Sequence, residues 1–445
     1  MNNQTTKKIL FFVHDYHHYQ AYIQGAALND IRNDITLLVA DERLKNSDFG
    51  VPADRVFFYS FPDKKDIFHR HIFNINTWIH RNRNIGFMIR TLLFTAHQKR
   101  IYRILSLPVL NRLVKLFFLE RARDRKLYDF VKKIDPDIIV IPSHAFEGTT
   151  FEMIRIARQL HVPSFMMVDN WDTLVWKTTF TFKPDYLGVW SKQQIEHAVE
   201  VRGMPRDRIF ILGAPRFTNY VNKGQEKLPT LYPFRYILYV GVFDEYDELA
   251  ALKKIDEAIE KHKVPFKVVF RPTSTQFPRK CPDVFFDYDY KHIILDTNAR
   301  TYYKKGVSWF ISKDKFDPKQ FPDPNYNFSL LQNAEYVICP ESTMLLEATL
   351  LGKRVYLLAY DDKIHKFNPE WVFKYAGHLH GLEKIESIRM VRDKEDIEKI
   401  FLPGDQLKQI FDEPMDIDWF VAKEATADYS SNLKKIVDEI LESQS

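Results

Sequence analysis

Tyr336-Val337-Ile338-Cys339-Pro340-Glu341-Ser342-Thr343-Met344-Leu345-Leu346-Glu347-Ala348-Thr349-Leu350-Leu351-Gly352-Lys353-Arg354-Val355 packs a strand, a helix and the start of a second strand into twenty residues. The apolar run ends at Cys339, a helix is predicted over Thr343 to Leu351, and Gly352 stops it before the apolar run Arg354 to Leu358. Two strands joined by a helix this way run parallel, so the segment predicts an α/β fold. The same alternation precedes it: Tyr236 to Val240, a helix over Glu245 to Lys261, Lys267 to Phe270, and a strand near His292 to Leu295.

The first half of the chain repeats the pattern. Lys8 to Val13 and Ile35 to Ala40 are apolar runs flanking a predicted helix over Gln20 to Asp30. Ile138 to Pro142 follows the turn-like Asp135-Pro136-Asp137, and the helix Phe151 to Leu160 leads into Ser164 to Val168. Tyr186 to Trp190, the helix Lys192 to Val201 and Arg208 to Leu212 complete one doubly wound domain. Ala214 to Phe234 holds Pro215, Gly224, Pro229 and Pro233 and reads as a linker. The expected layout is therefore residues 1–213, a linker at 214–234, and a second domain at 235–445 whose final helix, about Ala425 to Leu441, packs back on the first. No repeat of 20 to 50 residues occurs.

Length and composition agree with two globular domains: 445 residues, 45% hydrophobic and 28% charged. Two cysteines, Cys281 and Cys339, provide neither a disulfide framework nor metal-ligand spacing, which favours a reducing compartment. The run Ile9 to Val13 is too short for a signal peptide core, and Ile101 to Leu119 carries too many charges to span a membrane. Glycine is scarce, 14 residues, and no G-x-G-x-x-G follows the first strand, which disfavours a dinucleotide dehydrogenase.

The net charge of +5 hides an asymmetry. Lys64 to Lys126 holds 15 Lys and Arg against three acids, a local +12 that leaves −7 for the rest. Leu110, Leu113, Val114 and Phe117 recur there at helical spacing beside Arg112, Lys115 and Arg121. An interfacial helix on anionic lipid, a polyanion-binding stripe and a solvated helix pair all fit. No zinc-finger or RNA-binding signature supports nucleic acid.

Several positions carry candidate chemistry. Ser342 and Thr343 at a helix start, with Glu341 before them and Glu347 four residues after Thr343, suit an anion, because free N–H groups and the helix dipole both favour a phosphate. An ordinary N-cap accounts for the same hydroxyls. Gly241 closes a predicted strand. Glu147, in Ser143-His144-Ala145-Phe146-Glu147-Gly148, follows a strand at the carboxyl edge of the first sheet and is the first choice for a base, with Asp169 and Asp172 as alternatives and His144 behind them. His14-Asp15-Tyr16-His17-His18-Tyr19 offers three imidazoles after the first strand. Metal ligation, contact with an acceptor through Asp15 and His17, and a plain solvated loop remain open.

The Ser-Thr, Leu-Glu-Ala and Gly-Lys elements within 342–353 resemble the donor-binding motif of GT-B glycosyltransferases, two Rossmann-like doubly wound domains facing a central cleft. Val268-Val269-Phe270-Arg271-Pro272-Thr273-Ser274 is similar to the Arg-Pro-His-Pro or Lys-Pro-His-Pro of bacterial surface-polysaccharide and teichoic-acid-type transferases, with Thr273 in place of the histidine. Asp169-Asn170-Trp171-Asp172, Lys183 to Trp190 and Gly213-Ala214-Pro215 resemble uncharacterised surface-carbohydrate transferases. The likeness spans about residues 137 to 360.

This resemblance implies a transferase for capsule, O-antigen or another cell-envelope glycan. The nucleotide-sugar donor (CMP-, UDP- or related) would lie on the second domain at Gly241, Arg271, Thr273, Glu341, Ser342, Thr343 and Glu347. The glycan or glycolipid acceptor would lie on the first, at Asp15, His17, His144, Asn170 and Trp171, with Glu147 as base. Expected with it are a metal-independent reaction without cofactor, an anionic membrane surface as partner, other polysaccharide-assembly enzymes nearby, and a peripheral place on the cytoplasmic membrane face. A CDP-polyol phosphotransferase, a sugar-nucleotide epimerase of the same fold and a non-catalytic nucleotide-binding scaffold are the alternatives; the histidine lost at Thr273 is what leaves the scaffold open.

Overall fold

The structure, a computed structural model, describes residues 7–15, 18–24, 27–79, 94–143, 148–177, 179–223, 226–242, 246–272, 288–297 and 324–444. The chain divides into two compact units, Met1–Thr218 with Asp418–Ser445, and Asn219–Ile417. The first unit takes in the C-terminal stretch, including the helix Tyr429–Glu442, and the boundary near 218 falls inside the segment read as a linker.

Unit 1 is built on a seven-stranded parallel sheet: β1 (Ile9–Val13), β2 (Ile35–Val39), β3 (Val56–Phe58), β4 (Ile138–Pro142), β5 (Ser164–Met167), β6 (Tyr186–Val189) and β7 (Ile209–Ile211), in the order β3-β2-β1-β4-β5-β6-β7. Every residue of β1 and β4 is buried. Such strands bury both faces and therefore read as unbroken apolar runs. Ile9 lies opposite Ile35 on one side and Ile138 on the other, which puts the switch point of the strand order between β1 and β4.

The helices described between β3 and β7 are α1 (Asp63–Ile79), α2 (Ala96–Leu105), α3 (Pro108–Ala122), α4 (Arg125–Ile134), α5 (Gly148–Leu160) and α6 (Lys192–Glu200). The single helix expected over Gln20 to Asp30 is instead a π-helical turn at Tyr19–Gln24 and a 3-10 turn at Asn29–Asp34. Tyr22, Ile23, Leu28 and Ile31 are all buried.

The Gly-Ala-Pro segment has a structural explanation. Gly213 has φ +87°, and a Cβ there would meet the backbone of Ala425 at 2.7 Å. The Ala214 N–H donates to Thr426 Oγ1 at 3.1 Å, so the motif seats the C-terminal stretch on unit 1.

Unit 2 repeats the architecture with six parallel strands: β8 (Tyr236–Val240), β9 (Lys267–Arg271), β10 (Ile293–Leu295), β11 (Val337–Cys339), β12 (Val355–Leu358) and β13 (Ile388–Val391), ordered β10-β9-β8-β11-β12-β13. Its switch point lies between β8 and β11. The helices α7 (Glu248–His262) and α8 (Thr343–Leu350) follow β8 and β11.

Candidate functional site

In open α/β sheets the carboxyl ends of the strands beside the switch point gather the loops that bind ligands. In unit 1 these are the segments after β1, β4 and β5. Asp15 accepts the His18 N–H on Oδ1 at 3.0 Å, which bends the chain into the turn at Tyr19. That turn brings His18 Nε2 to 3.7 Å from Asp169 Oδ2, after β5, and His18 Nδ1 to 3.7 Å from Asp15 Oδ1. Asp169 is itself fixed: Ser143 Oγ, after β4, donates to its Oδ1 at 2.8 Å, and Thr173 Oγ1 does so at 3.1 Å.

His18 is 3% exposed. Burial pulls its pKa down, but Asp15 and Asp169 outweigh it and hold the imidazole above its ordinary value. His14, whose Nδ1 is 3.7 Å from Asp15 Oδ2, is lowered, with burial dominant. Two neighbouring imidazoles are thus pushed apart in pKa, an arrangement suited to proton handling. Ligand atoms of His14, Asp15 and His18 lie within 4.8 Å of one another, so among the described residues this is also where a cation could be held.

Of the sequence-based choices, Asp169 and Asp15 come together here. Asp172 is turned to Lys177, with Oδ2 2.8 Å from Nζ. Asn170 spends its side-chain oxygen on the Trp171 N–H at 3.0 Å, and Trp171 is 4% exposed. Glu147, His144 and His17 lie outside the described residues. Ser143 and Thr173 were not singled out from sequence; His18 was weighed only as one of the three imidazoles of the first loop and not picked out from them. His18 could have been: a helix-like offset of four from His14 and three from Asp15 turns those side chains to one side.

In unit 2 the segments after β8, β9 and β11 hold the donor candidates. The Gly241 N–H donates to Arg271 O at 2.8 Å, continuing the β8–β9 ladder. Ser342 is the N-cap of α8, its Oγ accepting the Met344 N–H at 3.3 Å. An Arg271 Nη1 donor lies 3.2 Å from Met344 Sδ, which brings the guanidinium to the first turn of α8. A cation and a helix start therefore share one place, with Glu341, Ser342 and Thr343 all half-buried.

Glu347, one turn on, is 5% exposed and accepts the Tyr220 hydroxyl at 2.9 Å, so it anchors α8 to the segment after the unit boundary. Cys339 is fully buried, and burial pushes its thiol up, which leaves it inert as a nucleophile. Thr273 lies outside the described residues.

No protein-family profile matches this chain, and no curated protein matches it. Solved structures do. The UDP-GlcNAc 2-epimerase from Methanocaldococcus jannaschii is 12% identical with a TM-score of 0.52, covering 97% of this chain and 99% of that one. The UDP-GlcNAc 2-epimerase from Neisseria meningitidis bound to UDP-GlcNAc is 11% identical with a TM-score of 0.51, over 98% and 100%. S. aureus MnaA in its UDP co-structure is 11% identical with a TM-score of 0.50, over 98% and 96%. At such identity the likeness is one of fold, and it is the GT-B fold expected from the sequence.

Proposed function

We propose that this protein is an enzyme acting on a nucleotide-activated sugar, with the nucleotide phosphate held on unit 2 at the start of α8 and proton transfer performed on unit 1 by His18 with Asp169. The observation that supports the first half most is the Arg271 guanidinium at the first turn of α8. A helix N-terminus favours an anion, and a guanidinium adds a planar, permanently charged donor set beside it.

Two chemistries use these parts. Epimerisation at a sugar carbon needs a proton removed and returned; displacement at an anomeric carbon needs a base for the acceptor hydroxyl and stabilisation of the departing phosphate. The three structural neighbours named above are two UDP-GlcNAc 2-epimerases and a protein seen with UDP, which supports epimerisation of a UDP-sugar as the leading reading. Transfer to a cell-envelope glycan acceptor is the second, supported by the motif series over residues 137 to 360.

A thermal-shift series with UDP, UDP-GlcNAc, CMP, CDP and GDP tests the binding half. A ligand at a hundred times its Kd stabilises the fold by about 2.7 kcal/mol, so a binder raises Tm visibly. No shift with any of them would overturn the reading, whereas a shift without turnover of any of these ligands would leave the nucleotide-binding scaffold. Incubation with UDP-GlcNAc followed by NMR then separates epimer formation from transfer.

The Ser342→Ala, Thr343→Ala double variant and Arg271→Ala are each expected to weaken nucleotide binding; the double variant also loses the α8 N-cap, at about 1 kcal/mol of stability, while Arg271→Ala should leave Tm of the free protein nearly unchanged. Losing a hydrogen bond to a charged phosphate costs about 1.5 to 3 kcal/mol, roughly 10- to 150-fold in Kd by calorimetry. Wild-type affinity in both would move the phosphate elsewhere. The reaction is expected to survive dialysis against EDTA. Loss of turnover, restored by a divalent cation and absent in His14→Ala, would instead give His14, Asp15 and His18 a metal-binding role.

A further inference from the structure

Fourteen large hydrophobic side chains are exposed among the described residues, and eight of them fall between Ile101 and Phe117, seven on α2 and α3 and Leu107 in the turn that joins them. At 100° per residue, Val109, Leu110, Leu113, Leu116 and Phe117 occupy one arc of about 120° on α3. Val109 is 75% exposed, Leu116 65%, Leu113 59% and Phe117 51%. The opposite side of α3 already has its partner: Phe118 stacks on His71 of α1 with ring centroids 5.3 Å apart, and Ala122 is fully buried. An apolar stripe normally faces the core; here a second one faces out.

The rim of this stripe is cationic. Arg112 and Arg121 flank the arc on its two sides and are exposed, as are Arg100 and Arg103 on α2. The Arg121 guanidinium lies 4.2 Å from the centre of the Phe117 ring, at the boundary between charge and apolar surface. Glu120 falls within the arc, but at the last turn, where Arg123 Nη1 donates to its Oε1 at 2.9 Å.

We propose that α2 and α3 form a docking face for an anionic lipid bilayer, with the Val109 to Phe117 arc entering the acyl boundary and the flanking arginines at the headgroups. Charge selects this occupant. A second copy of the chain seated on the same stripe about a two-fold axis would bring one cationic rim against another, whereas an anionic leaflet complements both rims at once. Helices whose apolar face is bordered by Lys and Arg lie in the interfacial plane. No described helix is long and apolar enough to cross a membrane, so the contact would be peripheral. This inference is independent of which sugar reaction the protein performs.

Flotation with phosphatidylcholine vesicles, with and without about one-third phosphatidylglycerol, tests it directly. The full-length protein is expected to float with the anionic vesicles only, and to be released as salt rises. Arg112→Gln with Arg121→Gln should lower partitioning about fivefold per cation, the equivalent of about 1 kcal/mol each. Leu113→Ser with Leu116→Ser should abolish flotation while leaving Tm unchanged, since both side chains face solvent in the free protein.

Equal binding to neutral and anionic vesicles, no binding to either, or wild-type flotation by both variants would each overturn the proposal. Sedimentation velocity adds the rival outcome: a dimer that dissociates in Leu113→Ser with Leu116→Ser, without vesicle binding, would assign the face to a second copy.

Discussion

Asp169→Asn is expected to reduce turnover by about 10² to 10⁴-fold while nucleotide affinity stays at the wild-type level. The amide keeps the size of the side chain and the bonds from Ser143 and Thr173, but removes the charge 3.7 Å from His18. That charge helps hold the His18 pKa above its ordinary value. Its loss should also move the acidic limb of the pH–rate profile to lower pH, a displacement that a merely structural role would not produce. His18→Gln should lose turnover to the same degree. Glu147→Gln is the competing arm, since Glu147 follows β4 and remains the base proposed from sequence. If Glu147→Gln loses turnover and Asp169→Asn keeps it, proton transfer belongs to Glu147 and the His18–Asp169 pair is structural.

The second large effect concerns stability. Glu152 is fully buried on α5 and gathers partners from three elements. Arg155 Nε donates to Oε2 at 2.7 Å and the Asp124 N–H to Oε1 at 2.7 Å, while His69 Nε2 of α1 is 3.5 Å from Oε2. Asp124 caps α4 through the Leu127 N–H at 3.1 Å and accepts the Tyr59 hydroxyl at 2.6 Å. The basic helical insert is thereby tied to the sheet domain. Burial alone would raise the Glu152 pKa, yet Arg155 and His69 pull it down to about 2.

Glu152→Ala leaves Arg155 buried without its carboxylate and is expected to cost about 3 to 5 kcal/mol in urea or thermal unfolding. This is a large share of the roughly 5 to 15 kcal/mol by which domains are stable. A folded-state pKa below the unfolded value stabilises above the unfolded pKa. The Glu152 contribution should therefore be complete above about pH 4.5 and fade as pH falls toward 2. A Glu152→Ala variant with wild-type Tm at neutral pH would show that the network contributes nothing.

The alternation of apolar runs and helices determined the two doubly wound domains, because strands buried on both faces must be apolar throughout. β1, β4, β8 and β11 lie within a residue or two of the positions their composition predicts. The capped start of α8 was legible for a related reason: Ser342 and Thr343 belong to one continuous strand–turn–helix, and a local motif needs no distant partner to be recognised. β3 was not legible, since Val56–Phe58 is short and only partly buried at the sheet edge.

What only the tertiary structure decided is long-range. Asp169 meets His18 across about 150 residues because β1, β4 and β5 pair side by side, and no spacing rule in one chain encodes that meeting. Glu152 reads in sequence as an ordinary polar position of an amphipathic helix; burial against α1 and Asp124 makes it the centre of a charged network. On α3 the sequence shows amphipathic periodicity but not which side is already covered. Packing of Phe118 on α1 settles that, and leaves the Val109 to Phe117 face outward. Periodicity is a property of the chain, whereas exposure is the outcome of which surfaces have found one another.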